Sequence, residues 1–191
     1  MIPKQRLDGL TDAVFGVAMT LLVLDLRLPE GFLPRDAAEL WRAVSDLSMQ
    51  FLAYAISFFV LTRRWMGLAR LAGQPLAVAD SFAAWSLVHL FLIACMPFST
   101  MLVGRFDQFA PSVWIYALNT ILAALAMLRL VALAEASPAE RAGWRQGLTA
   151  LIVIALISAG IAFVRPTEAM WAYLLLLLVP VWRKWQTRQK T

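Results

Sequence analysis

The stretch from Arg6 to Leu24, RLDGLTDAVFGVAMTLLVL, decides the fold of this chain. It is long and apolar enough to enter a membrane as a helix, yet its start is charged and a threonine, Thr20, lies deep inside it. Charged side chains are costly next to lipid, and they persist mainly where they pair or meet water. The stretch is therefore typical of a helix that forms a wall of a polar path, and not of a plain anchor.

The composition of the chain is that of an integral membrane protein. Of its 191 residues 61% are hydrophobic and 15% are charged, and its mean hydropathy is +0.72. A soluble domain is typically about 45–50% apolar and about 25% charged. The net charge of +5 comes from basic residues at the ends of apolar runs, which is typical of membrane orientation and not of a nucleic-acid groove. Cys95 is the only cysteine, so an intrachain disulfide is excluded.

Six apolar segments meet or approach the roughly 17–25 residues that a bilayer-spanning helix needs. They lie at about 6–28, 47–70, 79–103, 111–134, 147–165 and 168–184. Residues 34–46 are predicted to form a short amphipathic helix at the membrane interface. We therefore expect an all-α integral membrane protein with six transmembrane helices, in which residues 1–185 form one transmembrane domain and residues 186–191 form a short cytoplasmic tail.

The positions of lysine and arginine predict how the chain is oriented in the membrane. If the N-terminus is inside, twelve of the 17 basic residues fall on the inner side and five on the outer side. We therefore expect a multi-pass protein of the cell inner (plasma) membrane with both termini in the cytoplasm.

A helical wheel, at about 100° per residue, separates three kinds of side chain around the first helix. One stripe is apolar with a single hydroxyl group: Leu10, Ala13, Val17, Thr20, Leu21 and Leu24. Gly9 and Gly16 lie on a neighbouring edge of small residues, where another helix can approach closely. Asp8 and Asp12 point nearly the opposite way and need partners inside the protein. From the pattern alone, ordinary helix packing is the first explanation of the stripe, and Asp12 is expected to be a structural lock.

Catalysis and metal binding have little support in the sequence. His89 is the only histidine, which excludes a histidine-rich metal site. It is expected to form a hydrogen bond between helices, with pH sensing as the alternative. There is no cluster of histidine, cysteine and aspartate, no serine nucleophile elbow and no phosphate-binding loop. We therefore predict no enzymatic activity, no catalytic residue, and no bound metal or cofactor.

Two stretches resemble the prokaryotic branch of the transmembrane protein 175 potassium-channel family. The family's first helix carries the signature R-x-x-x-F-S-D, which stands here as residues Arg6 to Asp12 with Leu10 for Phe and Thr11 for Ser. The stretch from His89 to Thr100 is similar to the family's third helix. Shortly after Trp65, where the family often has a histidine, this chain has Leu68 and Ala69.

The resemblance implies a potassium-permeable channel without a carbonyl selectivity filter, and a homotetramer in which the first helices surround a central pore. In the family a hydrophobic ring on this helix forms the constriction and a nearby hydroxyl contributes to selectivity. These roles fall on Val17, Leu21 and Leu24 for the constriction and on Thr20 for selectivity. The signature network would include Arg6, Leu10, Thr11, Asp12 and His89. The implied partners are further copies of the chain, the lipid bilayer and monovalent cations, with potassium as the permeant ion and no nucleic acid.

Two other functions stay open at this stage. One is a small secondary transporter, in one version proton-coupled through Asp12 or His89, which would be expected to have inverted repeats and broken helices. The other is a membrane scaffold with no transport role.

Overall fold

Helices make up nearly all of the chain that the computed structural model describes, which is residues 2–70, 77–134 and 137–177. The elements in chain order are β1 (Ile2–Pro3), α1 (Lys4–Val23), α2 (Ala37–Asp46), α3 (Ser48–Arg70), β2 (Ala77–Val78), α4 (Asp80–Ala94), α5 (Met96–Arg105), α6 (Ala110–Leu133), α7 (Pro138–Ile161) and a 3-10 helix (Pro166–Leu177). The strands form one short antiparallel pair that joins the start of α1 to the chain just before α4. The all-α prediction is confirmed apart from this pair. The predicted tail, 186–191, lies outside the described residues.

The chain is a multi-pass membrane protein. In the part that is described, three stretches are long and apolar enough to cross a membrane: Asp80–Arg105, Ala110–Leu133 and Pro138–Ile161. α2 and α3 meet at a bend of 47° and add a fourth if the pair is one span. α1 is not among them because charged residues crowd its first turns, where lipid contact is costly. The sixth predicted span, 168–184, runs past the last described residue.

Two helix boundaries differ from those predicted. α7 begins at Pro138, well before the predicted residue 147, because a capping box starts it: the Glu140 backbone N–H donates to the Ser137 hydroxyl and the Glu140 carboxylate accepts from the Ser137 backbone N–H. α1 ends at Val23 rather than near residue 28. The chain leaves the helix there and places Asp25 against Arg105 at the end of α5.

α6 is the central helix of the bundle, packed by α4, α5, α7 and the 3-10 helix. α1 lies at the edge, against α3, α4 and α5. Large buried side chains fill the space between these helices, among them Phe15, Leu61, Met127 and Tyr116. The arrangement leaves one side of α1 outside the core.

Hydroxyl groups tie α3, α5 and α6 together inside this apolar core. The Thr100 hydroxyl donates to the Ser57 hydroxyl at 2.8 Å, and the Ser57 and Tyr116 hydroxyls lie 3.0 Å apart. Asn119 Nδ2 donates to the Ser99 hydroxyl at 3.2 Å. Interhelical hydrogen bonds of this kind hold membrane helices together where burial of apolar surface gives little driving force.

The capping box gives a direct test of where α7 begins. Ser137→Ala removes the side-chain acceptor and is expected to cost about 1 kcal/mol of stability, which lowers Tm by about 2–4 °C in a chain of this size. Thr149→Ala on the same helix is the control, since the Thr149 hydroxyl donates to the Arg145 or Gln146 carbonyl one turn earlier on α7 and caps nothing. Thermal unfolding of the purified protein in detergent measures both. An equal fall in the two variants would contradict the assignment of Ser137 as the cap.

Candidate functional site on the first helix

The rotation of α1 is fixed by the side chains that it buries. Phe15, Ala18 and Leu22 are at most 2% exposed and pack in the shared core with residues of α3, α4 and α5. Turning the helix would bring these residues out and cost the free energy of several apolar side chains. The side of α1 that faces away from the bundle is therefore set by this contact.

The apolar stripe predicted on α1 lies on that outward side. Leu10, Val17, Leu21 and Leu24 are 44%, 56%, 44% and 66% exposed, respectively, and Ala13 and Thr20 are exposed as well. Within the described chain nothing covers this face. It is available to lipid, to water, or to another copy of the chain.

Gly9 and Gly16 are also open. A Cβ atom added at either glycine would meet no atom within 4 Å. The close helix packing predicted at these glycines is thus not made by any described residue of the same chain, and a second molecule has room to make it. An apolar groove of about 250 Å³ runs along the same side of α1 and is lined by Ala13, Val14, Val17, Ala18, Leu21 and Ala94.

Thr20 is the only hydroxyl on the stripe, and its hydrogen is already used. Thr20 Oγ1 donates to the carbonyl of Gly16 at 3.0 Å or of Val17 at 2.9 Å. The oxygen keeps its lone pairs on the exposed side of the helix. Such an oxygen can accept a hydrogen bond from water or contact a cation, but it cannot act as a nucleophile without a base.

Asp12 has its partner on the neighbouring helix α3. Trp65 Nε1 donates to the Asp12 carboxylate at 2.8 Å, and a hydrogen bond to an ionised acceptor is stronger than one between neutral groups. Arg6, which the resemblance places in one network with Asp12, makes no ion pair with it. Asp8 pairs instead with Lys4 on the same helix. The bond to Trp65 fixes the position of α1 against α3.

The other residues of the signature do not join Asp12 in one network. Thr11 donates to the Leu7 carbonyl one turn earlier on α1. His89 is buried on α4, where its Nδ1 lies 3.1 Å from the Ala123 carbonyl, and its ring centroid is 6.2 Å from that of Phe15. His89 therefore packs α4 between α1 and α6, which is the interhelical role expected from the sequence.

Asp25 and Glu30, the first two acidic residues after α1, each lie beside an arginine. Asp25 forms an ion pair with Arg105 at 2.8 Å, and Glu30 lies 3.7 Å from Arg27. Neither carboxylate presents an isolated negative charge. The pair Asp25–Arg105 joins the end of α1 to the end of α5.

The sequence analysis missed Arg64 as an interior residue. Arg64 is 3% exposed, and its Nη2 donates to the Thr120 carbonyl at 3.0 Å. Its Nε and Nη1 have no hydrogen-bond partner in the described chain. The helical spacing was the available signal, because Arg64 shares a face of α3 with Ala53, Ser57 and Val60, which are all buried.

Acidic, histidine and cysteine side chains do not gather into a metal site anywhere in the described residues. The features available for function are therefore the exposed face of α1 and the polar groups that position it.

The first half of the chain matches a known protein family, and relatives of known name align with more than half of it. The model of the family described as endosomal/lysosomal potassium channel TMEM175 matches residues 6–97. A potassium channel of Chryseobacterium sp. (strain P1-3) is 28% identical over 124 residues, which is 64% of this chain and 60% of the relative. A potassium channel of Streptomyces collinus is 27% identical over 101 residues, 53% of this chain and 48% of the relative. The chain thus aligns with about half to three fifths of the length of these relatives.

A solved structure has the same fold. The lysosomal potassium-selective channel TMEM175 homolog from Chamaesiphon minutus superimposes with a TM-score of 0.77 at 22% identity, over 94% of this chain and 96% of the other. At this level of identity the likeness establishes a common fold and no more.

The bond between Asp12 and Trp65 predicts the behaviour of three variants. Asp12→Ala removes the acceptor of the indole N–H and, because this bond is exposed, is expected to cost about 0.5–1.5 kcal/mol, seen as a lower Tm and a lower yield of folded protein. Asp12→Asn keeps an acceptor oxygen and should lose less. Trp65→Phe removes the donor, so Asp12→Ala should add little when combined with it. Full additivity of Asp12→Ala and Trp65→Phe would contradict the contact.

Proposed function

We propose that this chain belongs to the TMEM175 family, whose model matches residues 6–97, and that it forms a potassium-permeable channel whose pore is lined by α1. The observation that carries the proposal is the outward apolar stripe of α1 with one hydroxyl in its midst. The relatives are named as potassium channels, and this agrees with the expectation that the chain is not an enzyme.

The proposed assembly is a homotetramer with α1 of each copy nearest the axis. A single bundle with α1 at its edge cannot enclose a pore lined by that one helix. Apolar exposure by itself also fits lipid contact, as for Val153 and Leu156 on α7. Two further features of α1 favour a second copy: the open glycines Gly9 and Gly16 allow close helix approach, and a groove runs beside the stripe.

The proposed constriction consists of Val17 and Leu21 on α1 and Leu24 at its C-cap, which follow one another at the spacing of successive turns. Rings of such side chains around an axis can exclude water from a narrow neck when the pore is closed. A small widening or rotation of the helices would admit water and ions. Because the Phe15 side of α1 is packed into the core, α1 and the bundle behind it would move together.

Thr20 is the proposed site of ion selectivity. Its oxygen faces outward from α1 while its hydrogen is held by the helix, so four copies could replace part of a cation's hydration shell. A ring of single hydroxyls offers fewer oxygens than stacked rings of backbone carbonyls. We therefore expect weaker discrimination of potassium from sodium than in a carbonyl filter.

The membrane orientation is part of the same proposal. Six helical passes with both termini in the cytoplasm give the asymmetry of basic residues found in the sequence. The proposed permeant species is the potassium ion, and we propose no cofactor for the channel.

The two alternative functions have less support. A secondary transporter is expected to have a discontinuous helix at its substrate site, whereas α1 is continuous from Lys4 to Val23. Asp12 and His89, its proposed proton carriers, are both engaged with other groups. A scaffold without transport gives no reason for a hydroxyl on the exposed stripe. Single-channel recording separates the three, since a transporter gives saturable coupled flux and a scaffold gives none.

Variants of the stripe test the channel directly. Leu24→Asn keeps a similar volume and attracts water, so we expect conductance or leak to rise without loss of assembled protein. Leu22→Asn is the matched control on the same helix: Leu22 is 2% exposed, so the same change there should reduce the yield of folded protein. Recording in planar bilayers with quantified protein measures both. If assembled Leu24→Asn protein carries the same current as the wild-type protein, the stripe does not line a pore.

Thr20→Val tests the hydroxyl alone. The two side chains are nearly equal in size, so the pore should remain intact while the preference for potassium over sodium falls. The reversal potential under mixed potassium and sodium gradients measures this preference. Unchanged selectivity in a conducting Thr20→Val channel would show that Thr20 does not contact the ion.

Reporter fusions test the orientation. A reporter inserted near Gln108, in the turn between α5 and α6, and one fused after Thr191 should report opposite sides of the membrane. Both on the same side would contradict the topology and the number of spans.

A further inference from the structure

A cavity of about 580 Å³ lies between the C-terminal half of α3 and the N-terminal half of α7. It is separate from the exposed stripe of α1. Its lining includes Arg63 and Arg64 from α3, Gly147, Leu148 and Leu151 from α7, and Leu176 from the 3-10 helix. The lining thus combines two guanidinium groups and the Glu140 carboxylate with a larger apolar surface.

Arg64 brings an uncompensated charge to this cavity. It is 3% exposed and forms no ion pair with any described residue. One of its guanidinium nitrogens has a carbonyl partner, and the other two have none. A buried charge is costly unless it is paired and its hydrogens are bonded. The described protein supplies only part of that compensation.

Arg63 adds a second guanidinium group to the same lining. It lines the cavity beside Arg64, is exposed, and lies over the Phe59 ring at 5.7 Å from the ring centroid. This contact with an aromatic ring does not neutralise its charge. Two adjacent arginines therefore face one cavity without a described carboxylate bound to either.

The carboxylate that does line the cavity is already occupied. Glu140 accepts from the Ser137 backbone N–H at 2.9 Å and from the Ser137 hydroxyl at 2.7 Å, and it forms no ion pair with Arg63 or Arg64. Its role is to cap α7. The excess of positive charge in the lining remains.

The chain's own C-terminal residues do not carry the missing negative side chain. Residues 178–191 contain four basic residues and no aspartate or glutamate. A ligand that suits the cavity brings an anionic group for the two guanidinium groups and an apolar body for the leucine side chains. Guanidinium groups suit phosphate oxygens in particular, because their N–H groups match the oxygens in pairs.

We propose that this cavity binds an anionic phospholipid, with its phosphate at Arg63 and Arg64 and an acyl chain along Leu148, Leu151 and Leu176. The lipid is preferred over free phosphate because most of the lining is apolar and the helices that form it belong to a membrane bundle. The proposal does not depend on ion conduction by α1.

Gly147 allows the cavity to be filled without disturbing the fold. A Cβ atom at Gly147 would meet nothing within 4 Å, so Gly147→Leu places a side chain into the open space of the cavity. Gly160 on the same helix is equally open and does not line the cavity. Gly160→Leu is therefore the matched control for the added bulk on α7.

The test compares thermal unfolding of the full-length protein with added phosphatidylglycerol, phosphatidylcholine or inorganic phosphate. At a lipid concentration far above Kd, we expect phosphatidylglycerol to raise Tm by roughly 5 °C or more relative to phosphatidylcholine. Arg63→Gln and Gly147→Leu should each lose at least half of this difference, and Gly160→Leu should keep it. Native mass spectrometry should show retained phosphatidylglycerol in the same order of variants.

Three results would overturn the proposal. Equal Tm values in the two lipids would show no preference for an anionic headgroup. An equal rise with inorganic phosphate would indicate a site for a free anion. If residues 178–191 occupy the cavity, Gly147→Leu should lower Tm in both lipids while the wild-type protein gains nothing from phosphatidylglycerol.

Discussion

The structure depends on which side of α1 is buried. Phe15, Ala18 and Leu22 fill the space against α3, α4 and α5, and the Asp12–Trp65 bond holds the same helix face near its start. These contacts leave Val17, Thr20 and Leu24 outward in every copy of the chain. In a symmetric assembly the same face of α1 from each copy can therefore surround the axis, because the rest of the bundle holds that face in place.

Polar side chains inside the bundle also need hydrogen-bond partners, because the helices around them are mostly apolar. Hydroxyls on α3, α5 and α6 bond to one another, and His89 faces a carbonyl on α6. Arg64 differs in carrying a full charge with no ion pair among the described residues, one carbonyl partner and two unbonded nitrogens. The hydrogen-bonded hydroxyls and the His89 ring fix how the helices pack. A partly bonded arginine beside a cavity instead points to a component from outside the chain, and this is the basis for the proposed lipid.

The sequence was sufficient to predict the helical membrane fold and the grouping of Val17, Thr20 and Leu24 on one stripe, because both follow from composition and helical period. From the pattern alone this stripe is explained by helix packing, and its exposure depends on which side of α1 meets α3, α4 and α5. It placed the start of α7 too late, because apolarity marks the lipid-crossing part of a helix while the cap at Ser137 marks its beginning. The partner of Asp12 and the burial of Arg64 depend on which helices adjoin, which no local pattern specifies. The ion pair between Asp25 and Arg105 depends on helix packing in the same way, since the two residues lie 80 positions apart in the chain.

The most direct test of the channel account is an experimental structure of the assembled protein in lipid. The account predicts four copies around one axis, with Val17, Thr20 and Leu24 nearer to the axis than any other side chains at their level. It also predicts that Gly9 and Gly16 lie against a neighbouring copy. An assembly in which this stripe faces lipid, or in which another helix surrounds the axis, would contradict the account.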